Sequence, residues 1–459
     1  MAQEALHDHI REMIALRDIR KLRDVLLGVS VHDIPELIGS ASTYDKAIIL
    51  RILPPDFAIQ IFQYFDRETQ KQLYEALGDT RYALLLDEMA PDDRTALLGE
   101  FEPDIAEHLL SLLSTTERKI AEQLLEYPEG SIGRLMSPDY IIIGKDWPIP
   151  KVLDHIRHYG RDSETLNVVY VVDDQGRLID DIRLREILLA PLNWDVEDLL
   201  SQSFVALRVD QDQESAVETF RKYDRTALPV IDSEGKLRGT VTVDDVLDVA
   251  AEEATEDIQR LGGVEALSEP YLRTPLLKLI RKRAGWLVIL FIGELLTASA
   301  MAHFEDEISK AVVLALFVPL IISSGGNSGS QACALIIRAL ALGELTSRDW
   351  AVVLKREIIS GLALGITLGL IGLLRIIVWS NFVDIYGPHY LEIGFVVCLS
   401  LTAVVLWGTC TGAMLPLILT RFKIDPATSS TPFVATLVDV TGLVIYFSIA
   451  AWILRGLLL

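Results

Sequence analysis

Cysteine is almost missing from this chain: there are three in 459 residues, Cys333, Cys398 and Cys410, each inside an apolar run. That excludes a disulfide framework and a thiolate zinc site, and leaves the thiols as packing groups. Also missing are a Gly-rich phosphate loop ending in Gly-Lys-Ser/Thr, a paired-histidine zinc motif and a serine-nucleophile elbow. Their absence argues against an ATP-driven pump, a zinc protease and a serine hydrolase, so no enzyme is expected. The first residues, MAQEALHDHIREMIALRDIRKL, hold no apolar leader, and the region that follows is expected to stay in the cytoplasm. Basic residues are short too, with 42 Lys+Arg against 65 Asp+Glu and a net charge of -23. Residues 1–280 hold 30 of the basic and 54 of the acidic side chains, and residues 281–459 hold 12 and 11, so all the excess acid lies in the first region. Such a surface repels nucleic acid and anionic headgroups and attracts multivalent cations. No nucleic-acid partner is expected.

What the second region has is apolar length. Five stretches, at 284–303, 311–341, 357–380, 393–420 and 432–454, each reach the roughly 20 residues a helix needs to cross a hydrocarbon core. A multi-pass protein in contact with lipid follows. With the large acidic region inside, the inner flanks receive Arg281, Lys282, Arg283, Arg338, Arg348, Lys355, Arg356, Arg421 and Lys423, and the outer side mainly Lys310 and Arg455. That asymmetry satisfies the positive-inside rule for a cell membrane and puts the C-terminus outside. Trp286, Trp350, Trp379 and Trp452 fall near the expected helix ends, as interfacial tryptophans do. The outer loops carry Glu305, Asp306, Glu307, Asp384 and Glu392, which would concentrate an arriving cation.

Asp439 is a lone carboxylate inside TPFVATLVDVTGLVIYFSIAAWIL. An ionised acid in hydrocarbon costs several kcal/mol unless it meets water, a cation or a partner, which makes it the first candidate for function. Helical spacing sets Ala435, Thr436, Gly442 and Tyr446 on its face. The second stretch is interrupted by SSGGNSGSQ, Ser323 to Gln331. Such a block either packs helices closely or lines water with backbone carbonyls and the side chains of Asn327, Ser328 and Gln331; the lining reading holds if the block packs beside Asp439. The fourth stretch adds Gly408, Thr409, Thr411, Gly412 and the helix-distorting Pro416. Glu294, in the first stretch, is read as a structural acid because nothing polar clusters around it in sequence.

The soluble region contains a repeated pattern, VVYVVDDQGRLIDDIRLREIL from Val168 and ALPVIDSEGKLRGTVTVDDVL from Ala227. Each copy reads as strand, Asp-x-x-Gly turn, strand and helix start. The repeats resemble cystathionine-β-synthase (CBS) domains, whose tandem pairs commonly form regulatory modules for adenine nucleotides or metals. The second keeps the ending of that family, Gly239 to Asp245, where Thr242 would meet phosphate and Asp245 ribose. The first has Asp180 and Arg183 at the corresponding Gly and Ser/Thr positions. Residues 1–130 show repeated helix starts at Pro55-Asp56, Asp66-Arg67-Glu68, Pro91-Asp92, Pro103-Asp104 and Thr115-Thr116-Glu117, as in an α-superhelix of helix pairs. After the second repeat, VDDVLDVAAEEATEDIQRL places Asp245, Asp248, Glu252 and Glu256 near one face of a helix. Like charges so placed repel unless cations neutralise them.

The order of these segments resembles the MgtE family of magnesium channels and transporters, over essentially the whole chain. They are a helical domain (1–130), a CBS pair (131–245), an acidic connecting segment (246–280) and a five-helix membrane domain (281–459), a multidomain α+β membrane protein. The motifs are GGNSGSQ with Arg338 downstream, the Asp425-Pro426-Ala427 turn, and PFVATLVDVTG from Pro432 to Gly442. The resemblance implies a homodimer with one pore, Mg²⁺ held at Asp439 with the Ala435 carbonyl beside it, and the acidic helix as a plug beneath. It implies pore-lining roles for Gly326, Asn327, Ser330, Gln331, Thr431, Thr436 and Gly442; Ser330 and Thr431 stand where members can carry Asn. It also implies cytosolic sensing of Mg²⁺ by Asp92, Asp93, Asp212, Glu214, Asp224, Asp245, Asp248, Glu253, Glu256 and Asp257, and ATP as a ligand of the CBS pair. Two alternatives stay open: a carrier of Co²⁺ or Mn²⁺, since oxygen ligands discriminate poorly among such ions, and a membrane-anchored sensor that transports nothing.

Overall fold

The computed structural model describes residues 2–455 apart from 202, 268–270, 273, 311, 384 and 429. Asp384 and the side chains of Asp306, Glu307 and Lys310 lie outside the described residues. The chain forms two compact units, Met1–Ala251 and Glu252–Leu459.

In the first unit, helices start where turn chemistry directs them. Asp66 Oδ1 accepts from the Thr69 amide at 2.9 Å and Ser114 Oγ from the Glu117 amide, while Pro55, Pro91 and Pro103 open their helices, where a missing N–H costs nothing. Amphipathic faces close on one core around Phe62, Tyr82 and Leu97, with Tyr82 edge-on to Phe62, Tyr74 and Phe101. Arg94 is fully buried; its guanidinium donates to the carbonyls of Leu86 and Asp87 and pairs with Glu117, which offsets the cost of burying the charge.

The two repeats fold alike. β1 (Ile142–Gly144), β2 (Val168–Val172) and β3 (Leu178–Arg183) form one sheet, and β4 (Leu207–Arg208), β5 (Ala227–Ile231) and β6 (Leu237–Thr242) the other. In each, the first pair is parallel and the second antiparallel, with a register shift in the middle strand. Gly176 and Gly235, at φ +77° and +78°, complete turns in which Asp173 and Asp232 accept from the following amides. The sheets join through Leu178 N–H to Gly235 O and Leu237 N–H to Gly176 O, both 3.0 Å, and through Tyr170 Oη and Thr240 Oγ1 at 2.6 Å.

A helix, Val243–Leu261, leads out of the second repeat. Five further helices are long and apolar enough to cross a membrane: Leu276–His303, Val318–Ala341, Trp350–Trp379, Tyr390–Arg421 and Thr431–Leu454. The first and third start earlier than their apolar runs because helical bonding continues through their basic flanks, and the second starts later, at Val318. The second and fourth spans interlock through Gly325 and Gly329 against Gly408 and Gly412: a methyl on Gly412 would collide with the Gly329 carbonyl, and one on Gly408 with that of Gly325. Spacing by four on both helices allows backbone contact. Gly365 and Gly369 of the third span lie as closely on Thr402 and Cys398 of the fourth.

Candidate cation sites

Asp439 sits one-third of the way along the fifth span, partly exposed in the protomer. The second span passes directly beside it: a Cβ on Gly326 would stand 3.7 Å from Asp439 Oδ1 and 3.6 Å from the Ala435 Cβ. Those distances are ordinary van der Waals contact, so the second span passes Asp439 closely without strain. The first span touches on the other side, where a Cβ on Gly293 would reach 3.0 Å from Thr436 Cγ2. Glu294 follows Gly293 directly, so this acid, read from sequence as isolated, lies on the turn of the first span that meets the Asp439 segment of the fifth. Its signal was spatial and not periodic.

The small polar block divides by face. Gly325, Gly326, Ser328 and Gly329 are buried; Ser323, Asn327 and Gln331, spaced by four, form an exposed polar stripe, with Asn327 Nδ2 donating to Ser323 Oγ at 3.4 Å. The packed face and the exposed polar stripe thus fall on opposite sides of one helix, and the helix packs beside Asp439. Ser330 Oγ donates to the Thr431 carbonyl at 3.2 Å, and Thr431 Oγ1 to the Leu261 carbonyl at 3.1 Å. Those two positions therefore tie the second span, the fifth span and the end of the acidic helix together. Ala435 and Thr436 stay partly open beside Asp439. Gly442 and Tyr446 do not share that opening. Gly442 is buried against Val404, and Tyr446 is fully buried with its hydroxyl donating to the Leu314 carbonyl at 2.8 Å; residues three and seven positions on drift around the helix toward the fourth span and the core.

The cytosolic candidates separate into two groups and some outliers. Asp92, in the first turn of Pro91–Gly99, is 7% exposed and its Oδ1 has no hydrogen-bond partner among the described residues. Burial first, then the charges of Asp245, Asp93 and Glu164, push its carboxyl well above the ordinary range. Asp245 is pushed up to about 6, chiefly by burial, although the Thr242 hydroxyl and amide donate to it. Glu164 is raised by burial and by Asp245 and Asp244. Asp93 is held by Arg67 at 2.7 Å. Glu164 and Asp244 are the members that helical spacing did not reveal, since Glu164 comes from a loop and Asp244 lies one residue off the Asp245 face. The second group surrounds Arg260, which pairs with Glu256 and Asp425. Asp257 beside it is raised by burial and by the charges of Asp425 and Glu253. Asp212, Glu214, Asp224 and Asp248 join neither group, and all four are exposed. Among the described residues no three His, Cys, Asp or Glu side chains converge tightly enough to hold a bare ion.

Thr242 and Asp245 bond to each other, with Thr242 only 5% exposed. An open cavity of the CBS pair lies elsewhere: about 570 Å³ lined by Asn167, Arg183, Arg185, Asp224, Arg225 and Thr226 among others. Three guanidiniums around such a volume suit a polyanion.

A family model described as a divalent cation transporter matches residues 318–449, one for an MgtE intracellular N domain matches 29–130, and a CBS-domain model matches 132–193 and 196–252. The chain is 36% identical to a protein of Thermus thermophilus named magnesium transporter MgtE, over 99% of this chain and 100% of that one. It is 29% identical, over the full length of both, to a protein of the same name from Bacillus subtilis. Among solved structures it resembles the cytosolic domain of the Mg²⁺ channel MgtE in complex with ATP, with a TM-score of 0.51 and 32% identity over 53% of this chain and 99% of that one. It also resembles the soluble part of a magnesium transporter, at 0.50 and 26%, over 55% and 99%.

Proposed function

We propose that this chain, which belongs to the MgtE family of magnesium transporters, admits Mg²⁺ into the cytoplasm past Asp439 and is closed by Mg²⁺ bound at its cytosolic acids. The observation that carries the reading is Asp439 inside a membrane helix, flanked by the small residues Gly326 and Ala435. Mg²⁺ gives up water reluctantly and prefers one or two carboxylates plus retained waters. One Asp439 from each subunit of a homodimer holds such an ion without trapping it, with Ser323, Asn327 and Gln331 offering further polar atoms. The binding must be weak enough for the ion to leave. An inside-negative potential contributes about 2.3 kcal/mol per charge per 100 mV and twice that for a divalent ion, so no hydrolysis is required.

Closing follows from the acids. Asp92, Asp245 and Glu164 repel one another while ionised, and a divalent cation among them removes that repulsion, which favours the arrangement that holds them together. Asp257, Glu253 and Asp425 stand in the same relation at the end of the acidic helix. An adenine nucleotide with its phosphates toward Arg183, Arg185 and Arg225 is the second ligand the soluble unit accommodates, and the ATP bound by the related cytosolic domain supports it.

Recording from the purified protein in patches tests the whole reading. Divalent currents should flow at low cytosolic Mg²⁺ and fall as it is raised, with Mg²⁺ preferred over Co²⁺ and Mn²⁺. Silence at every Mg²⁺ concentration would instead mark a sensor without transport.

A further inference from the structure

The first repeat carries a buried acid that the second does not. At the register positions where β6 has Gly239 and Thr240, β3 has Asp180 and Asp181. Asp180 is satisfied by the Ser201 amide and hydroxyl and the Asp181 amide. Asp181 is not: its side chain is 1% exposed, neither oxygen has a hydrogen-bond partner among the described residues, and its compensation is the Arg225 guanidinium at 3.0 Å. Arg225 is itself a wall of the 570 Å³ cavity, with Arg183 and Arg185. One cation therefore serves a buried carboxylate on one side and an anion cavity on the other.

We propose that Asp181 couples proton uptake to anion binding in this cavity: a polyphosphate that engages Arg225 draws compensating charge from Asp181, whose carboxylate then takes a proton from solvent. The inference rests on the nucleotide reading above. The groups facing Asp181 are Arg225, Asp180 and Arg183, and Tyr170 from β2, whose hydroxyl is committed to Thr240. Burial holds the Tyr170 hydroxyl above its ordinary range and Asp180 is already satisfied by Ser201 and the Asp181 amide, so Asp181 is the acceptor of this set. Burial already lifts its carboxyl to about 6 with Arg225 opposing the rise, so a small loss of that opposition brings protonation to neutral pH. The bound state holds more protons than the free state, hence affinity rises as pH falls.

Calorimetry of ATP binding to the full-length protein, in two buffers of different ionisation enthalpy at pH 7, counts the protons. Wild type should take up a fraction of a proton per ATP beyond what Asp181→Asn takes up, the difference removing the nucleotide's own titration. Affinity of the wild type should rise several-fold from pH 8 to pH 6, and that of the variant should change less. Equal proton counts in the two proteins overturn the coupling while leaving the cavity a nucleotide site. If the variant does not fold, a wild-type affinity that follows only ATP's own titration overturns it equally. No ATP binding at any pH removes the nucleotide reading and the coupling with it.

Discussion

Asp92 and Asp439 are the same side chain under opposite arrangements. Asp92 is packed among other carboxylates, buried, with one oxygen unsatisfied among the described residues. Asp439 stands beside glycine and alanine, partly open, with Glu294 on the turn of the first span that meets its segment. On the proposed reading, the first would store repulsion that a divalent ion relieves, and the second, with small surroundings, would hold a hydrated ion loosely. Sensing needs binding energy tied to a conformation, and conduction needs binding that does not hold the ion back. The difference lies in what surrounds the carboxylate.

The sharpest way to break that comparison is Asp439→Ala, where Mg²⁺ uptake in a Mg²⁺-dependent strain should be lost, at least about tenfold below wild type, equivalent to about 1.4 kcal/mol or more. Growth equal to wild type would leave Asp439 with no role in the passage. Next comes the scaffold that presents it: Gly412→Ala forces a methyl against the Gly329 carbonyl and should cost about 1–3 kcal/mol by overpacking, visible as a lower melting temperature in detergent, while Gly78→Ala, with open space around it but positive φ, should act on the soluble unit alone.

Asp92→Asn should do the reverse of the usual buried substitution. With repulsion removed, the protein without divalent ions should melt higher than wild type, and Mg²⁺ should raise its melting temperature less; identical Mg²⁺ responses would detach Asp92 from sensing. The same logic sets the pH dependence. Native carboxyls raised above their unfolded values bind extra protons, so the contribution of Asp92, Glu164 and Asp245 to stability in chelator is greatest at low pH, falls as pH rises from the ordinary carboxylate range through about 6, where Asp245 titrates, and levels off above the value of Asp92; comparison with Asp92→Asn isolates it from the rest of the protein. Saturating Mg²⁺ should flatten that slope. The smallest effect is expected for Arg260→Ala. Its ion pairs are about a third exposed and contribute under about 1 kcal/mol, but their loss frees Glu256 and Asp425, so closing should require somewhat more Mg²⁺.

Most of the architecture was legible because it depends on local chemistry. Prolines and Asx caps marked the helix starts of the first unit, Asp-x-x-Gly marked both hairpins, and apolar length marked the spans. The site was legible where one residue broke a pattern, as Asp439 and the Ser323–Gln331 block do. Glu164, Asp244 and the Arg225–Asp181 pair were not, since they meet through the tertiary fold from segments with no shared period. Gly442 shows the limit of counting along a helix: three residues from Asp439, it has turned to Val404.

The glycine clasp between the second and fourth spans has a mechanical corollary. Helices seated carbonyl on Cα at two successive turns cannot roll or slide without first separating, so they behave as one beam. On the proposed reading, dilation of a passage along the second span would fall to the fifth span, which is tethered at its first turn by Ser330, Ser430 and Thr431 through bonds a single side chain can release. Stiffness on one wall and a light latch on the other let a small chemical signal open a narrow aperture while the rest of the bundle stays in place.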